Sequence, residues 1–158
     1  MVNVTLVQRA KFFEGLSETE CRQIAEFCEI KDYADGERVL EENGGAKRLD
    51  LRLIISGEVA VGKKALPTPG ASEVGISAIG SELYGEISWL LSTKPSAGLV
   101  SKGRSRFLIV DGEKFYSFCA ENPQLGFMLM ERIASVLAKR TCNLTEQLVT
   151  KDAFSFSF

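Results

Sequence analysis

The hydrophobic period changes twice along the chain, and few folds accommodate both changes. From Ser17 the stretch SETECRQIAEFC places Ile24, Phe27 and Cys28 at helical spacing. Ser17 and Glu20, three residues apart, form a capping box at its start. Beyond Asp32 the texture becomes short β-rich runs, as in LRLIISGEVAVGKK, GISAIG, GLVSK and SRFLIV, separated by turn signals such as NGG and SGE. After Val110 the helical period returns in DGEKFYSFCAEN and then in a long run behind Asn122 and Pro123, read as an N-cap with proline in the first turn. The expected order is a helix within 11–30, about eight strands over 31–110 and helices over 111–150. That makes one mainly β domain over 1–150, a small sandwich or barrel flanked by helices, with a tail at 151–158. The stretch ALPTPGASE (65–73) reads as a surface loop.

Composition closes several functional classes. The chain has 158 residues, a net charge of −2, and the apolar and charged shares of an ordinary globular protein. That balance offers no basic surface for nucleic acid. No window approaches a transmembrane span, and the N-terminal MVNVTLVQRAKFFEGL lacks a long apolar core, so a cytoplasmic chain without membrane contact is expected. With no histidine there is neither a Ser-His-Asp triad nor an imidazole base. The four cysteines form no C-x-x-C pair, and Cys21 and Cys28 would lie about 10 Å apart on one helix, too far for a disulfide. Neither a metal, a cofactor nor an enzymatic activity is expected. Ser88 and Ser96 near Glu86 read better as polar binding contacts than as a hydrolytic centre.

Five stretches, in order, resemble the cyclic-nucleotide-binding domains of the catabolite activator protein and of protein kinase regulatory subunits. They are FFEGLSETE, YADGERVLEEN, LRLIISGEVAV, IGSELYGEISWLL with PSAGLV, and NPQLGFMLMERIASVLAKR. The resemblance implies an eight-stranded jelly roll with an N-terminal helix and a long C-terminal helix. It also implies a phosphate-binding cassette drawn from Gly80, Leu83, Tyr84, Gly85, Glu86, Ile87, Ser88, Pro95, Ser96 and Ala97. In that family backbone N–H groups at a short helix start face the cyclic phosphate, the glycine admits close backbone approach, and the glutamate accepts the ribose 2′-hydroxyl. Gly85 and Glu86 take those places. An arginine nine or ten positions later pairs with the phosphate in the family, but here those positions are Pro95 and Ser96. The cassette is therefore a variant without its arginine, and losing a hydrogen bond to a charged group, about 1.5–3 kcal/mol, weakens binding tenfold or more. Lys94, next to Pro95, reads as a solvated loop lysine.

On the last helix Met130, Ala134, Leu137, Thr141, Leu144 and Leu148 form an a/d seam, which in the family joins two copies in a parallel homodimer and which a helix packed on its own barrel would also show. The resemblance places a purine-contacting hydroxyl at Thr145, and Thr141, one turn earlier within the seam, is a further candidate for ligand binding. Only KDAFSFSF follows, too short for a helix-turn-helix, so a DNA-binding domain is not expected. If extended, that tail aligns its phenylalanines on one side and suits docking on a neighbouring surface. Two functions stay open: a stand-alone sensor binding a small anionic ligand such as a cyclic nucleotide, and a ligand-free domain that serves dimerisation or another protein contact.

Overall fold

The computed structural model describes residues 2–40, 50–63, 74–77, 83–95 and 97–155. Helix α1 (Val4–Arg9) and a 3-10 turn (Lys11–Phe13) precede α2 (Glu18–Ala25). The capping box is present: Ser17 Oγ accepts from Glu20 N–H, and the Glu20 carboxylate accepts from Ser17 N–H at 2.7 Å. The helical region is thus not one element over 11–30. Cys28, placed on the helix by its spacing, begins strand β1 (Cys28–Tyr33) instead, because its backbone pairs with Val110 of a strand far along the chain. Tertiary pairing outweighs local period there.

Six strands form one antiparallel sheet: β1, β2 (Arg38–Leu40), β3 (Leu51–Lys63), β4 (Val74–Ser77), β5 (Leu83–Tyr84) and β6 (Gly98–Val110). The path β1-β6-β3-β4 is its frame, with β2 on β6 and β5 on β3, and it does not close among the described residues. Among the described residues, two pairs of runs expected as separate strands are each one continuous strand. SGE, at 56–58, is a register break in β3 opposite Arg106 and Lys102, not a chain reversal. Gly57 sits there at φ 94°, where a Cβ would lie 2.4 Å from the Arg104 carbonyl oxygen, so the bulge needs glycine. GLVSK and SRFLIV likewise run as the single strand β6.

Alternation along the strands feeds two cores. Leu51, Leu53, Leu83, Leu108 and Val110 pack with Phe12, Phe13, Ile24, Leu129 and Ile133 of the helical side. Tyr33, Val39, Val59, Tyr84, Leu99, Phe107 and Ile109 form the second cluster. Neighbours such as Leu83 and Tyr84, or Leu108 and Ile109, go to different clusters because successive strand side chains leave opposite faces.

Helix α4 (Gly112–Glu121) begins at Asp111, whose carboxylate accepts from the Glu113 and Lys114 N–H groups. Helix α5 (Pro123–Ser155) follows at once. Asn122 does not cap α5 with its side chain; its amide donates to the Phe118 carbonyl at 2.9 Å and finishes α4. Residues 151–155 continue α5, since each added helical residue closes a further backbone bond. The extended tail is therefore not seen there, and 156–158 lie outside the described residues, as do 65–73.

Candidate functional site

The cassette is built around a reversal between β5 and helix α3 (Glu86–Leu91). Strand β5 is fixed on β3 by the pairs Leu53–Leu83 and Arg52–Tyr84. Gly85 then turns the chain at φ 87°, where an added Cβ would stand 2.9 Å from the Asp50 carbonyl oxygen. Both the backbone angle and the space demand glycine. Trp89, 1% exposed, anchors α3 from the other side by donating its indole N–H to the Gly112 carbonyl at 2.7 Å and packing on Phe115 and Tyr116. Asp50 ties the same corner together, since its carboxylate accepts from Gly112 N–H at 3.2 Å.

Between this cassette and α5 lies a cavity of about 910 Å³. Leu83, Tyr84, Gly85, Glu86, Ile87, Ser88, Pro95 and Ala97 all line it, so eight of the twelve residues expected at the site share one wall. Gly80 and Ser96 lie outside the described residues. Thr141 and Thr145 do not line the cavity; their hydroxyls donate to the Leu137 and Thr141 carbonyls of their own helix, each at 3.0 Å. The α5 face that does line it carries Ser135, Lys139, Asn143 and Gln147 at spacings of four. Pro95 is buried, and Lys94 is exposed and absent from the lining.

Glu86 is the polar centre of the wall, 1% exposed. A carboxylate that deep needs a partner, and its partner is Arg140 of α5, which pairs with Glu86 Oε1 and also donates to the Leu83 carbonyl. The guanidinium carbon stands 5.3 Å from the Tyr84 ring centre, within cation–π range. Burial pushes the Tyr84 phenol above its ordinary value, Arg140 opposes this and Glu86 adds to it. Arg132, a second lining cation, spends its guanidinium on the Phe12 and Glu14 carbonyls, both at 2.6 Å. The sequence reading missed Arg140. Its signal was indirect: a cassette with a glutamate and no arginine calls for a cation from elsewhere, and α5 presents one on the face of Val136 and Asn143.

Among the described residues no three His, Cys, Asp or Glu side chains are placed to hold a metal, and no helix is long and apolar enough to cross a membrane.

This chain has the fold of a cyclic nucleotide-binding domain of the catabolite activator and protein kinase regulatory type. It is 24% identical over 146 residues to a CRP-like cAMP-activated global transcriptional regulator of Mycobacterium tuberculosis, covering 92% of this chain and 63% of that protein. A cyclic nucleotide-binding domain from Methylobacillus flagellatus superposes with a TM-score of 0.72 at 23% identity, covering 94% of this chain and 81% of that one. The catabolite activator protein of Thermus thermophilus does so at 0.66 and 25% identity, covering 92% and 63%. No family model matches the chain. The chain thus spans under two thirds of the curated relative's length. The expectation of no nucleic-acid partner, drawn from the acidic balance, has no support from relatives that are themselves transcriptional regulators.

Proposed function

We propose that the chain is a regulatory module that binds a small anionic ligand, of which a cyclic nucleotide is the leading candidate, in the cavity between the cassette and α5. The observation that carries this reading is Glu86, a carboxylate buried in the wall of a cavity of about 910 Å³ beside a glycine that cannot be replaced without displacing the Asp50 carbonyl. On this reading one domain spans 1–150, without a catalytic step. The two thirteen-residue strands β3 and β6, whose pairing is broken in register near their middles, stand in for four of the eight strands of a jelly roll. The seam on α5 is divided: Met130 and Leu137 pack against the core, whereas Leu144, which also borders the cavity, is 49% exposed and Leu148 64% exposed, leaving both available to a second copy.

Two observations favour the second reading, a ligand-free interaction domain: Glu86 is already paired, and Pro95 stands where the resemblance puts a phosphate-binding arginine. A thermal-shift panel with millimolar cyclic AMP and cyclic GMP separates the two. A ligand at 100 times its dissociation constant stabilises by about 2.7 kcal/mol, which moves the midpoint of a domain this size by several degrees. Such a shift, lost in Glu86→Ala, is expected. No shift with either nucleotide favours the interaction domain.

A further inference from the structure

Resting on the binding reading above, we infer that Arg140 of α5, not the cassette loop, takes the ligand's anionic charge, and that Glu86 is its resting counter-ion. The position expected to carry the phosphate cation is Pro95, buried and without charge. Among the described residues four cations line the cavity, Lys11, Arg132, Lys139 and Arg140; Arg132 is committed to two backbone carbonyls of the N-terminal segment, and the Arg140 guanidinium pairs with the cassette glutamate and the Leu83 carbonyl. Its planar fork can serve an anion and a carbonyl together, which an ammonium does less well. Its ring contact with Tyr84 holds the guanidinium at the cavity wall while partners exchange.

This pairing also defines the ligand class. An anion that draws Arg140 away leaves the Glu86 carboxylate at 1% exposure without a partner, which is strongly unfavourable. Binding is therefore efficient only when the ligand brings a hydroxyl to the carboxylate in the same act. The cavity selects anions bearing a neighbouring hydroxyl, as sugar phosphates and nucleotides do, over bare anions. Because Arg140 belongs to α5, occupancy of the site acts directly on that helix.

The test uses the full chain as wild type, R140Q, R140K, E86Q and the E86Q/R140Q double variant, titrated with cyclic AMP and with sulfate. Calorimetry gives affinity, and Trp89, the single tryptophan, lies buried on α3 and reports the cassette. R140Q should lose at least tenfold in cyclic AMP affinity, and R140K less. E86Q should bind sulfate at least tenfold more tightly than wild type, because Arg140 no longer leaves a carboxylate behind, and E86Q/R140Q should lose that gain. A folded R140Q that binds cyclic AMP as wild type does overturns the inference while leaving the binding site standing. If wild type binds no cyclic AMP, the binding reading fails and sulfate decides: an Arg140-dependent gain in E86Q keeps Arg140 as the anion group, and no gain overturns it. Should R140Q fail to fold, E86Q against E86Q/R140Q decides in the same way, since neither buries an unpaired carboxylate.

Discussion

On the cassette side of the cavity nearly every group is held in place twice, whereas the distal half of α5 is held by little besides its own backbone. Gly85 is fixed by its backbone angle and by the Asp50 carbonyl, Trp89 by a hydrogen bond and by ring contacts, and Glu86 by burial and by Arg140. Beyond Arg140 every α5 residue to 150 is exposed, Thr141, Thr145 and Thr150 bond only to carbonyls one turn back, and Leu144, Leu148 and Val149 face solvent. A stiff wall suits a site that must recognise a shape. A wall fastened near one residue suits a part that must respond, since regions of low local stability are the ones that move. The Glu86–Arg140 pair is where the two meet.

The most damaging change to the stiff wall should be Trp89→Ala. It removes a fully buried indole that bridges α3 to the start of α4, and such truncations cost about 3–5 kcal/mol. Urea unfolding should show a loss of that size. A loss under 1 kcal/mol would mean that α3 is not braced on α4 and that the two walls differ less than their contacts indicate.

Gly85→Ala should come next. A positive φ at a non-glycine residue costs roughly 1–3 kcal/mol, and the new Cβ must also push aside a backbone oxygen at 2.9 Å. Ligand affinity should fall with stability, because the turn that sets Glu86 is the part displaced. Unchanged stability would show that the β5–α3 corner yields, and the contrast with α5 would weaken.

What was legible in the sequence follows the range of the interactions. The capping box of Ser17 and Glu20 depends on residues three positions apart, and it is present. The cassette residues were expected from the family resemblance, and those that line the cavity are neighbours along the chain. Cys28 was misplaced because its partner is Val110, and SGE was read as a turn because the bulge at Gly57 is defined by Arg104 and Ser105 across the sheet. Arg140 lies 54 residues from Glu86, and only the packing of α5 brings them together. Thr141 shows the converse: it fits the seam in the sequence, yet one step along a helix turns a side chain by about 100°, away from the cavity face that Arg140 and Asn143 occupy.

The gentlest test of the contrast uses the cysteines, three of which the fold protects chemically while the fourth it leaves open. Burial pushes the Cys28 thiol up to about 12, with the Asp111 charge adding to the rise, and burial pushes Cys119 up to about 11. A raised value favours the neutral thiol, so the reactive thiolate accumulates only as pH climbs towards those values. At pH 8 both thiols are therefore held neutral, Cys28 more firmly than Cys119. Cys21, fully buried, is raised as well, by burial first and Glu20 second. Cys142, on the distal half of α5, is exposed. Alkylation of native protein at pH 8 should therefore label Cys142 alone in a fast phase, and all four after denaturation. Raising the pH should speed Cys119 before Cys28. Fast labelling of Cys119 at pH 8 would place the mobile boundary within α4, well before Arg140. Slow labelling of Cys142 would show that something covers the distal helix, and loss of that protection on dilution would identify the cover as a second copy of the chain.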